Sequence, residues 1–215
     1  MNTAPSFIER HSLAIRVWHW IFSSLIMATI IIVVLATFVF NSGQNVPLVQ
    51  EQLQQKGVSA DAKAAWAVSH AFNDKLWGLH TWIGYGIAIF VLGRFLLELF
   101  QPSEEKIGVK LRRAMGFSAL LSEEKQQKSH YLRVKWGYVF FYGCILIMAL
   151  TGLGLAFEDV PFFNGIRQPL RSVHSFTQYL IYAFILLHLI GVIAADIRRY
   201  PGIVSGMING KKTNH

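Results

Sequence analysis

The sequence predicts an all-α integral membrane protein, a four-helix bundle with both termini on the cytoplasmic side. Short amphipathic helices are expected in its first outer loop and in its inner loop. Three observations predict this class. Of 215 residues, 53% are apolar and only 15% are charged, against about 25% charged in an average globular chain. The charges are clustered, so four long uncharged stretches remain between them. Lys and Arg also fall mostly on one side of those stretches. The whole chain, 1–215, reads as a single membrane domain.

The first stretch, about 17–40, is too long for the core of a signal peptide and carries His19, so it reads as a retained span. The second, about 79–100, holds Arg94 and Glu98 near its end. The third and fourth run about 134–157 and 173–195. Each is long enough to cross a ~30 Å hydrocarbon core with some tilt. In the first outer loop, 41–78, Asp61–Phe72 reads as a helix with apolar positions Ala62, Ala65, Trp66 and Ala67, behind a cap at Ser59 or Asp61. In the inner loop, Lys110–Phe117 is a short basic amphipathic piece suited to anionic lipid.

Orientation follows from the cations. Fifteen Lys and Arg lie in the N-terminal segment, the 94–135 region and the C-terminal tail. Five lie on the other face: Lys56, Lys63, Lys75, Arg167 and Arg171. The positive-inside rule then puts both termini in the cytoplasm. No compact basic soluble domain carries the net charge of +8, so it marks an inner membrane face rather than a nucleic-acid site. The sole cysteine, Cys144, sits mid-span as a small apolar residue. The chain has no disulfide framework and no C-x-x-C-H attachment, so any haem is held non-covalently.

The histidines carry the chemistry. His174 and His188 are fourteen residues apart on one apolar stretch, which puts both rings on one helix face about 21 Å apart along the axis. An imidazole inside a membrane is costly and reads as functional. With the orientation above, His19 and His188 lie near the inner face, and His80 and His174 near the outer face. Each pair can clamp one metal centre between helices. Two nitrogens with no Cys or carboxylate make a poor closed zinc site, which wants four ligands. Two axial imidazoles suit a haem iron, whose macrocycle supplies the other four nitrogens, and filling both axial positions favours electron transfer over oxygen binding. The expectation is two haem b groups, an outer one on His80/His174 and an inner one on His19/His188. Polar residues bonding across helices would explain one such histidine, but hardly four at matched depths.

Neighbouring residues fit the same reading. Gly84 lies one turn after His80, and Gly191 three residues after His188. Each lets a flat macrocycle approach, or equally another helix. Arg16, one turn before His19, and Arg94, fourteen residues after His80, can neutralise the propionates of the inner haem. Arg94 reads alternatively as an i,i+4 partner of Glu98 or as a snorkelling side chain. Trp18, Trp20, Trp77, Trp82 and Trp136 read as an interfacial aromatic belt. His70 reads as a surface residue of the outer loop.

The combination resembles a known family. Arg16–Val17–Trp18–His19–Trp20, then His80, Gly84 and Arg94 at their spacing, Gly137–Tyr138, Thr151–Gly152, and His174 with His188 look like the four-helix dihaem cytochrome b subunits of bacterial membrane-bound nickel–iron hydrogenases. Relatives occur in formate dehydrogenases and the bacterial cytochrome b-561 group. The tail, Asp196–Ile197 and Ile203–Gly210, looks particularly like the hydrogenase branch. The resemblance covers nearly the whole chain. It implies haem b ligation by His19, His80, His174 and His188, and, as in some members, quinone chemistry near the inner haem. The outer loops, which would contact a periplasmic partner, depart from the pattern.

The leading expectation is therefore a b-type dihaem electron conduit in the bacterial inner membrane, an electron-transfer subunit of a quinone-linked oxidoreductase. Electrons would pass between a periplasmic oxidoreductase or cytochrome subunit and the quinone pool. His130, Asp196 and Arg198 are candidate quinone contacts by depth. The alternative is a stand-alone cytochrome b-561-type oxidoreductase using a small diffusible donor such as superoxide, with Arg167 and Arg171 attracting the anion. A non-redox anchor or metal transporter is a third class. The absence of carboxylates inside spans one, three and four argues against an ion path.

Overall fold

The computed structural model describes residues 13–100, 102–103, 106–118, 122–198 and 202–210. The side chain of Glu123 lies outside this description, as do Arg10, His11, Arg199, Lys211, Lys212 and His215. All regular structure among the described residues is helical. Helix α1, Leu13–Val34, continues as a π-helical turn, Leu35–Val39. Then come α2, Val46–Gln55, and α3, Ala62–Phe100. Helix α4 is Ile107–Gly116 and α5 is Ser122–Ala156. The chain ends with α6, Pro161–Gly165, α7, Arg167–Arg198, and α8, Ile203–Asn209.

Four of these are long and apolar enough to cross a membrane: Leu13–Val39, Ala62–Phe100, Glu124–Ala156 and Arg167–Arg198. Their outward faces carry large apolar side chains such as Leu92, Phe100, Leu150 and Leu187. Lipid solvates such a surface, and a helix satisfies its own backbone polar groups there.

Two loop elements differ from expectation. Asp61–Phe72 does not form a separate helix. It supplies the first turns of α3, whose 39 residues extend about 58 Å. Nothing between Phe72 and Leu79 breaks the helix: Asn73–Asp74–Lys75–Leu76–Trp77 is helix-compatible, and one interior glycine, Gly78, costs only about 1 kcal/mol. The expected cap is present, with the Asp61 carboxylate accepting the Ala64 N–H at 2.7 Å. The separate outer-loop helix is α2 instead, opened by Pro47 in its first turn. In the inner loop, α4 answers the expected basic piece. Its Leu111 and Ala114 are buried, while Arg112 and Arg113 are exposed.

The described chain divides into two compact units, one formed by Ile21–Ile87 and the other by the remainder. In the first, the buried stripe of α3 is Ala65, Ser69 and Asn73, at helical spacing. This stripe is small and polar, while Trp66 is 44% exposed. The polar member has a reason to be there. The π turn is closed by the Phe40 N–H on the Leu35 carbonyl at 2.8 Å. Asn73 then donates through Nδ2 to the carbonyls of Ala36 at 2.7 Å and Phe40 at 2.8 Å. These are among the acceptors a helix end leaves unpaired. In the second unit, α5 and α7 pack along each other, α4 packs on α5, and α8 packs on α7. Cys144, Ile145, Thr177 and Ile181 are buried there. The two long helices approach closely at Gly154, where a β-carbon would stand 2.8 Å from Leu170 Cδ1.

Candidate functional site

The second unit brings together the two histidines placed near the inner face. His19, on the first turns of α1, and His188, on α7, have ring centroids 6.4 Å apart with planes inclined at 59°. With a metal–imidazole bond of about 2.0 Å and a ring radius of about 1.1 Å, two imidazoles on opposite sides of one ion have centroids about 6.2 Å apart. The pair therefore fits bis-axial ligation. Among the described residues, no group of three or more His, Cys, Asp and Glu side chains converges as a bare ion would need. A macrocycle that brings its own four nitrogens matches this donor set.

Aromatic rings hold the pair. Phe184, one turn before His188 on α7, lies parallel to its imidazole at 6.1 Å and 6°, and is itself stacked on Phe141 of α5 at 4.7 Å. Trp20 stands edge-on to His19 at 5.5 Å. Trp18 is half-buried between Phe90 and Tyr142, both at 6.2 Å. Trp18 and Trp20 are thus packing partners of neighbouring rings.

The predicted arginines sit close by in sequence but have protein partners. Arg16 donates through Nη1 to the Ile208 carbonyl at 3.1 Å. Arg94 pairs with Glu98 at 3.3 Å, as one of its alternative readings held, and lies over the Tyr142 ring at 5.8 Å. A guanidinium has five donors, so neither contact exhausts it. Among the inner-face candidates, Asp196 has a structural task, its Oδ1 accepting the Gly202 and Val204 N–H groups at 3.0 and 3.2 Å. His130 lies on α5, and Arg198 is the exposed last residue of α7.

His174, on the first turns of α7, meets α5. Its Nδ1 is 3.0 Å from the Thr151 hydroxyl. That hydroxyl has one hydrogen, which it gives to the Ile147 carbonyl at 2.7 Å, with the Met148 carbonyl at 3.3 Å. With its hydrogen there the hydroxyl can accept from His174, an arrangement that puts the proton on Nδ1 and leaves the Nε2 lone pair for a metal. Gly152 makes room for the ring, since a β-carbon there would lie 3.2 Å from His174 Cε1. Sequence reasoning quoted Thr151–Gly152 without giving either residue a task. The available signal was a hydroxyl and a glycine on span three at the depth assigned to His174.

His80 belongs to the other unit, on α3, with Trp77 edge-on at 5.5 Å. Within that unit a β-carbon on Gly84 would find no atom within 4 Å, and the same holds for Gly191 on α7 in its own unit. Close helix packing inside either unit therefore explains neither glycine. His70 is more than a solvated side chain. It stacks on Trp66 at 4.4 Å, meets the Ser42 hydroxyl at 3.3 Å and pairs with Asp74 at 3.4 Å.

The model of the prokaryotic cytochrome b561 family matches residues 10–210. No curated protein and no solved structure matches the chain significantly. The family match covers all four membrane-spanning helices and both ends of the chain's helical part. The chain belongs to the prokaryotic cytochrome b561 family, multi-pass bacterial membrane proteins that hold b-type haem and transfer electrons.

Proposed function

We propose that this protein is a dihaem electron conduit of the bacterial inner membrane, carrying electrons between a periplasmic redox partner and the quinone pool. The observation that supports it best is the 6.4 Å separation of the His19 and His188 rings. His19 and His188 hold the inner haem b, and His80 and His174 the outer one. The second assignment rests on sequence depth and on the proton position that Thr151 imposes on His174. The haem supplies reversible one-electron chemistry. The residues of the chain orient the imidazoles, exclude water and neutralise charge. Arg16 and Arg94 meet the inner propionates with their remaining donors, and Gly84 leaves space for the flat macrocycle. His130 and Arg198 are the inner-face candidates for quinone contact. The cationic inner loop and tail keep both termini in the cytoplasm. The periplasmic partner is a hydrogenase-type subunit, a reading supported by the resemblance of the tail.

The diffusible-donor alternative loses part of its support. Arg167, offered there as an anion attractor, is paired with Glu158 at 2.7 Å.

The test is a pyridine haemochrome assay with reduced-minus-oxidised spectra on the protein and on H19A, H80A, H174A and H188A. Two b-type haems per chain, with each variant losing one, is the expected result. A single haem, or a full complement in any of the four variants, refutes the assignment. Co-purification of a stoichiometric periplasmic subunit separates the conduit from the stand-alone oxidoreductase.

A further inference from the structure

We propose that α8 is a clamp that sets the orientation of the His19 imidazole, acting through Trp20. This rests on the reading of His19 as an axial ligand of the inner haem. A helix of seven residues is far too short to persist alone in water, so α8 is held by its contacts. Its start is tied to the end of α7, where Asp196 accepts the Gly202 and Val204 N–H groups. Its last turn is tied to the start of α1. The Met207 and Ile208 carbonyls there lie at the negative end of the helix dipole, where a helix leaves acceptors for outside donors. Met207 accepts the Trp20 indole N–H at 3.2 Å, and Ile208 accepts from Arg16 at 3.1 Å.

Gly210 closes the clamp. Its φ is +73°, and a β-carbon on it would lie 2.7 Å from Cζ, Nη1 and Nη2 of Arg16. The positive φ strains any residue with a side chain, and a β-carbon there would push the guanidinium tip of Arg16 aside. Arg16 is correspondingly enclosed, its Nε buried without a hydrogen-bond partner among the described residues.

Arg16 and Trp20 are the residues gripped, and His19 lies between them in sequence. Trp20 is the one that touches it, edge to face at 5.5 Å and 77°. The indole N–H bond to Met207 restrains the Trp20 ring against the His19 ring, which itself stands opposite His188. The α7 helix therefore acts on the inner pair twice, directly through His188 and indirectly through Asp196, α8 and Trp20. Contacts one step away from a metal ligand set its ring orientation and basicity, and losing one typically costs about tenfold or more in affinity or activity.

Two variants of the full-length protein test this. W20F keeps an aromatic ring against His19 but removes the hydrogen bond to Met207. G210V leaves Trp20 intact and unseats α8. The readout is the low-spin electron paramagnetic resonance signal of each haem, which reports the relative orientation of its two imidazole planes, together with each haem's midpoint potential. Both variants should retain two haems, broaden or shift the inner signal, and change the inner reduction equilibrium by about twofold to tenfold, with the outer signal unmoved. The double variant should add little, because both changes break one chain of contacts. An inner signal identical to the unmodified protein in W20F overturns the clamp, as does an equal change at both haems. Failure of the underlying reading shows elsewhere, as H19A retaining both haems.

Discussion

Replacing Thr151 by valine removes one oxygen and keeps the shape of the side chain. The structure allows the consequence to be estimated. With its hydrogen on the Ile147 carbonyl, the hydroxyl can accept from His174 Nδ1, 3.0 Å away. In T151V the hydrogen bond is lost, a net loss of about 0.5–1.5 kcal/mol. The bond to Nδ1 also makes the imidazole a better electron donor, which favours ferric over ferrous iron. If about 0.5–1 kcal/mol of the bond is felt only in the ferric state, its loss raises the outer midpoint potential by about 20–45 mV, since a tenfold change in a one-electron equilibrium is about 59 mV. Outer-haem retention should fall about tenfold. Thr151→Ser keeps the oxygen and should behave as the unmodified protein. The assay is a potentiometric titration followed on the haem α-band, resolved into two components. An unchanged potential in T151V, or a change confined to the inner component, would refute the proton placement on His174.

Three further outcomes follow from the same geometry. Gly152→Ala places a methyl 3.2 Å from His174 Cε1, so the ring must yield by a few tenths of an ångström, and the outer spectrum should shift while the inner one does not. Asn73→Leu leaves the Ala36 and Phe40 carbonyls without their donors; thermal unfolding should register a loss of about 2–3 kcal/mol, with haem spectra of the surviving folded protein unaltered. Reversing Arg112 and Arg113 to Glu removes two of the inner-face cations and adds two anions. Protease accessibility of the inner loop in sealed vesicles should then show a fraction of molecules inverted.

The four spans were legible because an apolar run is a local property of the sequence. An apolar run declares a span, and a fourteen-residue separation fixes which rings share a face. The helix ends were less legible. Polar residues such as Lys63 and Asp74 extend α3 well beyond its apolar part, and between Phe72 and Leu79 only Gly78 interrupts helix-compatible residues, so there was no stop signal to read. Helix α2 was missed because its sequence, VPLVQEQLQQ, has no sustained apolar period, and its Pro47 announces a start only when a helix is already suspected.

The contacts that support the imidazoles could not be read from spacing, and the reason differs between the two sites. For His174 the support comes from the neighbouring helix in sequence order, with Thr151 twenty-three residues away. A hairpin-like pair such as α5 and α7 makes that contact a matter of register. Any change in the α6 connection that slides one helix along the other would displace Thr151 and Gly152 from His174, and also Phe141 from Phe184 beside His188. For His19 the support comes from the far end of the chain, 187 residues from Trp20 and 192 from Arg16. No local pattern encodes such a contact. Only the return of α7 to the inner face, the Asp196 turn and a glycine at 210 bring α8 there. The His19 imidazole therefore depends on α8 through Trp20, and changes in α8 should act on the proposed His19/His188 site.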